Sequence, residues 1–472
     1  MTFQAQRKGG LMARTISRRQ LLVSSSIATA SLSIVPRSVL GRGLVPPSDK
    51  VNIAIIGTGG QGIVNVKALF GQPDARVIAI ADPNEESDYS RFYYGGTAGR
   101  GPALRLIQKH RETTGENGEC AAYLDYREML DKEKDADAVL VATPDHVHAV
   151  ATMAAINLGK HVYCEKPLTH TVYEARKLTE AARQAGVATQ MGNQGHSGEG
   201  IRQTCEWIWD GAIGPVREVH AWTGASGWAE GDRPTETPPV PETFDWDLWL
   251  GPIPYRPYHP AYAPYNWRGW WAFGTGSIGD MACHNIDPAF WALKLGHPTT
   301  VEAIDTEIHP EIVPAESTVR YEFPARENLP PVTLTWYDGT RRPARPEGMS
   351  PDERLEGNGI IFIGEKGIIL CGGWGGAPRL LPSSLAESYR APSPTLPRSD
   401  GHHRDWLDAC KGDALPSSNF NYAGPLTEVV LLGNVAQRSK GKLEWDGRHM
   451  TVTNNAEANQ FVQATYRGGW RL

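Results

Sequence analysis

Short apolar runs alternate with stretches of helical periodicity from residue 51 to about 192, and that rhythm organises the first half of the chain. The runs Val51–Ile56, Val77–Ala81, Ala136–Ala142, His161–Cys164 and Val187–Met191 read as buried strands. Ile63–Phe70, Ala149–Leu158 and Thr171–Gln184 read as helices, with Gly159 and Gly186 placed to end the last two. Such alternation predicts an α/β fold with a doubly wound parallel sheet. Residues 89–101, rich in Tyr, Gly and Arg, interrupt it as a surface insertion. Further on, Arg217–Trp222, Thr333–Trp336 and the stretch Ile361–Leu370 predict strands of a second domain, and Leu426–Val435 a packed apolar helix. The expected division is 1–46 for a leader and linker, 47–192 for the first domain and 193–472 for the second.

The first strand runs directly into Gly57-Thr58-Gly59-Gly60-Gln61-Gly62, a G-x-G-x-x-G turn. Gly57 permits the tight bend, Gly59 lets backbone approach a pyrophosphate, and Gly62 lets helix and strand pack closely. The helix that follows presents unpaired amides and a positive dipole end to phosphates. Asp82, at the end of the second strand, stands about 20 residues past the last glycine, where a ribose contact is needed. A carboxylate there accepts both ribose hydroxyls and repels a 2′-phosphate, and Pro83 and Asn84 follow it rather than an arginine. NAD is therefore expected in preference to NADP. Ligands of such sheets bind beyond the carboxyl ends of the strands. Thr143, Pro144 and His148, then Glu165 and Lys166, then Asn193, all fall there and complete the expected cofactor site. Gln194 and His196 are candidates at the cleft rim for substrate.

The 47 Lys and Arg nearly balance the 53 Asp and Glu, so no basic field points to nucleic acid. Six scattered cysteines form no C-x-x-C pair, so neither a zinc ribbon nor a dense disulfide scaffold is suggested. The N-terminus reads as an address. Ser17-Arg18-Arg19-Gln20-Leu21-Leu22 resembles a twin-arginine export signal, and the Ser- and Ala-rich Val23–Val35 behind it is too short and polar for a stable membrane span. A disordered basic tail is the alternative, and the true start is Met1 or Met12. Export by that route carries folded proteins, often with cofactor bound, and predicts a periplasmic or otherwise exported protein that holds its nicotinamide tightly.

Glu165-Lys166-Pro167 together with the glycine turn, and further on Gly274-Thr275-Gly276-Ser277-Ile278-Gly279-Asp280-Met281-Ala282-Cys283-His284, resemble the glucose–fructose oxidoreductase, inositol dehydrogenase and MocA family. Thr427–Asn434 is similar to its exported bacterial branch. The resemblance implies an N-terminal Rossmann domain and a C-terminal α/β domain with an open mixed, largely antiparallel sheet that often forms subunit contacts. It also implies a homo-oligomer, dimer or tetramer, acting on sugars, cyclitols or their derivatives with NAD or NADP. Family members commonly carry Asn where Asp145 stands, which leaves the contact of Asp145 open.

Pro167 confines Lys166 to extended backbone, and an ammonium there would stabilise a developing alkoxide. The family's lysine has that role, and Lys166 matches it; a solvated strand-end lysine is the bland alternative. Asp280 and His284 lie at helical spacing on one face, with Asp287 on the same face beyond them. Imidazole titrates near working pH, so His284 is suited to be the general base, and the resemblance assigns it the alcohol proton. The same spacing suits a metal with His220 as third ligand, or a helix cap and a satisfied core histidine. Hydride transfer needs no metal, and none is expected. Trp246, Trp249, Trp267, Trp270 and Trp271 alternate with tyrosines in a proline-rich stretch just before this segment. Aromatic faces pack on pyranose C–H faces, so one or two, with Trp267 and Trp271 foremost, are expected to touch a sugar and the rest to form a loop core or interface.

These features predict an exported NAD-dependent oxidoreductase of a sugar or glycoside secondary alcohol. A redox glycosidase working by oxidation, elimination and reduction uses the same parts. A carbohydrate-binding protein with structural NAD is the non-enzymatic alternative.

Overall fold

The first strands are mostly apolar because both faces of their sheet are covered. In the computed structural model, which describes residues 45–91 and 94–472, these strands are β1 (Val51–Ile56), β2 (Ala75–Ala81), β3 (Ala121–Tyr123), β4 (Ala138–Val141), β5 (His161–Cys164) and β6 (Thr189–Met191). They pair in parallel in the order β3-β2-β1-β4-β5-β6. Along β1, Ile53 and Ile55 enter one core while Ala54 and Ile56 enter another, the alternation that a two-sided sheet imposes. The order reverses between β1 and β4, so a crevice opens at their carboxyl ends.

The longer helices are α1 (Gly60–Phe70), α2 (Arg100–Thr114), α3 (Asp145–Asn157), α4 (Val172–Ala185) and α5 (Glu199–Trp209). Thr171 and Glu174 close a capping box on α4, and Gly186 ends it in the left-handed region. Helix α3 begins at Asp145, earlier than its apolar periodicity predicts. Its first turn buries Asp145, His146 and His148, polar residues that hide the period. The expected Twin-arginine-like segment, Met1 and Met12 lie outside the described residues.

The second sheet has nine strands: β7 (Val216–Thr223), β8 (Thr300–Ile304), β9 (Thr318–Phe323), β10 (Val332–Tyr337), β11 (Asn358–Gly364), β12 (Ile368–Gly372), β13 (Arg379–Leu381), β14 (Leu443–Asp446) and β15 (Thr451–Val452). Their order is β13-β12-β11-β7-β10-β9-β8-β14-β15, with only the β7–β10 pair parallel. The apolar stretch 361–370 is thus a hairpin rather than one strand, because Gly364 to Gly367 make its turn.

Two late helices return to the first sheet. In α6 (His402–Cys410), Trp406 and Leu407 join the core of Ile53, Val77 and Tyr163. Helix α7 (Phe420–Gln437) is buried on nearly every side and starts ahead of the expected Leu426, with Pro425 inside its second turn. Asn419 caps it through the Asn421 amide, and Phe420 and Ala423 anchor the added turn in the core. Residues 50–472 consequently form one compact unit. The proline-rich aromatic stretch has its own small core of Trp246, Trp249, Leu250, Ile253, Tyr262, Trp267, Trp270 and Phe273. No helix among the described residues is long and apolar enough to cross a membrane.

Candidate active site

The glycine turn leaves β1 through Gly57, whose φ of +89° few residues other than glycine tolerate. Asp82 fastens the turn: Oδ2 accepts the Thr58 amide at 2.7 Å and the Thr58 hydroxyl at 3.2 Å, and Oδ1 accepts the Asn84 amide at 2.8 Å. Burial raises the Asp82 carboxyl, and these donors oppose the rise. Its oxygens retain further lone pairs for a ribose diol, since a carboxylate offers about four acceptor positions. Arg100 reaches the same corner, donating to the Asp82 carbonyl, but Glu85 neutralises its charge. This arginine comes from α2, so no inspection of the residues beside Asp82 would have found it.

One cleft runs from this corner along the strand ends. Gly57, Gly59, Gly60, Gln61 and Asp82 line one end, and Thr143, Pro144, Asp145, His148, Glu165 and Lys166 the other. Gly62 faces inward against the Gly57 carbonyl and is not part of the wall. His148 braces the far end, its ring nitrogens at 2.7 Å and 2.8 Å from the Pro167 and Thr143 carbonyls. Glu165 Oε1 accepts from Gln61, Asn65 and Gln194, while its buried Oε2 has no partner. Glycine turn, helix amides, Asp82 and this unmatched acceptor together fit a dinucleotide.

Lys166 Nζ lies 2.6 Å from Asp280 Oδ1 and 2.8 Å from the Asp280 carbonyl, both side chains being largely buried. Arg268 Nε approaches the same carboxylate oxygen at 3.3 Å, and its guanidinium covers the Trp267 ring at 4.2 Å. Burial opposes the Lys166 charge, but Asp280 outweighs it and holds the ammonium above the ordinary lysine value. Asp280 is held well below the carboxylate range: burial acts against this, and Lys166 and Arg268 prevail. Arg268 was not anticipated from sequence; its signal was a lone cation between Trp267 and Trp270.

Asp280 sits on a single π-helical turn, Ile278–Ala282, which passes into the helical turn Cys283–Asn285 that carries His284. π-turns recur at functional sites. Both ionised neighbours act on His284, yet burial first and Lys166 second push its imidazole down to about 3. The expectation of titration near working pH is therefore corrected: His284 is neutral there, with Nδ1 buried and unpartnered.

Five other expected site residues lie elsewhere. Asn193, His196 and Asp287 form a buried hub: Asp287 accepts from Asn193 at 2.9 Å, faces His196 Nδ1 at 3.0 Å and accepts the Tyr422 hydroxyl at 2.5 Å. Ser418 donates to Asn193 at 2.5 Å, and His196 stacks on Trp291 at 4.3 Å. A buried carboxylate must be saturated with donors, and these residues do that rather than meet ligand. Trp271 points into a separate cavity, donating to the His309 carbonyl at 3.0 Å beneath the Arg438 guanidinium. Gln194 stands behind Glu165, donating also to Tyr163 at 3.1 Å. Among the aromatics, Trp249, Tyr265 and Trp267 line the cleft, joined by Tyr89 and Tyr94 from the insertion. Tyr94 rests its ring on Gly60, and Tyr89 donates to the Pro264 carbonyl at 3.3 Å.

His402 is bonded to Ser197 and to the Met191 carbonyl, and His403 to Asn65, all in structural roles. His220, the alternative metal ligand, is on β7 with Tyr337 and Glu218.

Asp145 supplies a pH test. Burial pushes its carboxyl from 3.8 up to about 6, against the Thr275 hydroxyl that donates to it at 2.6 Å. The folded chain holds this proton more tightly than the unfolded chain. The cost of ionising it is absent below about pH 4 and fully present above about pH 6. Two pKa units correspond to roughly 3 kcal/mol. Asp145→Asn is expected to raise unfolding free energy in urea by up to about that amount at pH 8 and negligibly at pH 4. An equal gain at both values would rule out ionisation as the cause.

Residues 51–193 match the Gfo/Idh/MocA profile described as an oxidoreductase family with an NAD-binding Rossmann fold. Residues 216–325 match the profile of that family's C-terminal alpha/beta domain, and the two matches cover more than half of the chain. The 2,7-anhydro-N-acetylneuraminate hydratase of Mediterraneibacter gnavus is 27% identical over 185 residues, 39% of this chain and 42% of that protein. The 1,5-anhydro-D-fructose reductase of Ensifer adhaerens is 30% identical over 171 residues, 35% of this chain and 40% of that protein. The chain thus spans about two fifths of the length of the curated relatives it matches. In fold it is similar to the WlbA dehydrogenase of Bordetella pertussis, solved with NADH and UDP-GlcNAcA. The TM-score is 0.55 at 18% identity, covering 84% of this chain and 99% of that one.

Proposed function

We propose, for a chain that belongs to the Gfo/Idh/MocA family of NAD-binding oxidoreductases, that it moves hydride between a secondary alcohol of a sugar or glycoside and a retained nicotinamide. The observation that carries this reading is the Lys166 ammonium held on Asp280 in a cleft whose other end is the glycine turn. When bound, NAD supplies the hydride acceptor.

Lys166 sets a fixed positive charge where a substrate hydroxyl loses its proton, which stabilises the alkoxide. Asp280 holds that charge in place, and Arg268 in turn holds the Asp280 carboxylate. His284, uncharged at working pH, offers a lone pair to the departing proton. Tyr89, Tyr94, Tyr265 and Trp249 wall the cleft and restrict water. Retention of cofactor is supported by the joining of the two segments that carry these aromatics: the Glu85 amide donates to the Thr243 carbonyl at 2.8 Å and the Asp245 amide to the Pro83 carbonyl at 3.0 Å, beside the cleft.

The twin arginines support an exported location, where a retained cofactor is needed because free NAD is scarce. With Arg18 and Arg19 changed to lysine the protein should stay in the cytoplasm; unchanged export would sink this part. A homo-oligomer, dimer or tetramer, is proposed on family resemblance, to be read by sedimentation.

The test is a panel of sugars and aryl glycosides read for both bound-cofactor reduction and aglycone release. Reduction without release is the expected result. Release without net reduction would mark a redox glycosidase, a second reading favoured by a relative named as a hydratase, whose reaction has no net oxidation. Bound NAD that no sugar reduces would leave a binding protein.

A further inference from the structure

Trp374 occupies the turn Gly373–Gly375 between β12 and β13, with φ +62° and ψ +23°. Left-handed backbone is unfavourable for a bulky residue, and such outliers gather at functional sites. The residue is also 54% exposed, so the strain is not compensated by burial of the indole. A glycine or asparagine would satisfy the turn without either cost.

The surroundings nevertheless hold it firmly. Its amide donates to Asn285 Oδ1 at 3.0 Å, and Asn285, fully buried, donates in turn to the Trp222 carbonyl at 2.8 Å. Gly195 packs so closely that a Cβ there would lie 2.7 Å from the Trp374 Cβ. Asn285 directly follows His284, so one helical turn fixes both the imidazole and the tryptophan. The two ring centroids are 5.4 Å apart and tilted by 53°. An exposed indole is thereby fixed beside the residue that receives the alcohol proton.

We infer that Trp374 is a specificity-determining wall of the substrate site, taking the C–H face of a pyranose ring and presenting a ring hydroxyl to His284. This rests on the sugar oxidoreductase reading above and narrows its substrate class to cyclic sugars over open-chain polyols. An indole face matches the axial C–H surface of a pyranose and gains little from a flexible chain.

The test compares Trp374→Ala and Trp374→Phe with the wild type on pyranoses and open-chain alditols. KM and kcat are read in steady state with a keto sugar supplied to reoxidise the bound NADH, and sugar affinity from calorimetry. Trp374→Ala should raise KM for pyranoses at least tenfold with kcat within a few-fold, and Phe should recover most of the loss. The preference for rings over alditols should shrink in the alanine variant. Its melting temperature should change little, since the indole is half exposed and alanine keeps both the backbone conformation and the Cβ packed on Gly195. Turnover with unchanged KM and unchanged ring preference in Trp374→Ala overturns this inference alone. A wild type that binds pyranoses without turnover, with affinity lost in Trp374→Ala, upholds the wall and overturns the oxidoreductase reading. A wild type that neither binds nor turns over any sugar overturns both.

Discussion

Replacing Lys166 by methionine is expected to lower the rate of bound-cofactor reduction by about 1000-fold while dinucleotide binding persists, since one preorganised donor to a developing oxyanion is worth roughly 100- to 1000-fold. The upper end is expected because Lys166 is a full charge, largely buried and held 2.6 Å from its carboxylate partner. Methionine keeps the unbranched stem and removes only that charge. Asp280 retains Arg268 at 3.3 Å, so the variant does not leave a buried carboxylate without a cation. Lys166→Arg should recover little, because a planar fork cannot occupy the place of a compact ammonium. The measurement is single-turnover absorbance of the nicotinamide with saturating sugar, beside dinucleotide affinity by fluorescence. A loss under tenfold would remove Lys166 from the chemistry.

The groups on which this expectation rests were unevenly visible in the sequence. The glycine turn, Asp82 and Lys166 were legible because each follows a buried strand, and strand ends are marked by a local change of period. Asp280 and His284 were legible as neighbours, for their proximity is set by one turn of chain. What depended on distant chain was hidden. Asn193, Gln194 and His196 follow β6 as rim residues should, yet Ser418 and Tyr422 fold over Asn193 and His196, and Asp287 becomes the acceptor of a buried hub. Arg268 and Arg100 reach the cleft from other elements. The protonation of His284 was misjudged for the same reason. A histidine's ordinary value applies in water, and its burial and the nearness of Lys166 exist only after folding.

In the fold, too, local pattern and distant packing divide the outcome. The five predicted strands of the first sheet are present, while β3, a run of three residues, is too short to announce itself. The start of α7 was hidden because Pro425 reads as a boundary, and only burial on all sides carries the helix through it. Trp374 gave no local sign at all. A tryptophan among four glycines resembles a flexible tip until Asn285 and Gly195 are seen to lock it.

Gly57→Ala is expected to destabilise the protein by roughly 3 kcal/mol or more, combining about 1–2 kcal/mol for left-handed backbone with about 1–3 kcal/mol for overpacking. A Cβ at this position would lie 2.6 Å from the Ala142 carbonyl oxygen, 2.7 Å from its carbon and 2.8 Å from the Thr143 amide nitrogen. All three are backbone atoms at the end of β4, so no rotamer change relieves the clash; strand ends must separate. That displacement moves Thr143 and Pro144 away from the glycine turn, so dinucleotide affinity should fall with stability. Gly60→Ala is the discriminating control. The three atoms nearest its Cβ all belong to the Tyr94 ring, the first at 2.0 Å, and a side chain can swing aside where backbone cannot. It should therefore unfold within about 1 kcal/mol of the wild type, since Gly60 opens α1 without left-handed backbone and alanine there incurs no strain of the kind met at Gly57. Urea unfolding of both variants decides the matter. Equal losses would mean that the turn is sensitive to any added methyl group, and that the contact between β1 and β4 has no special part in forming the crevice.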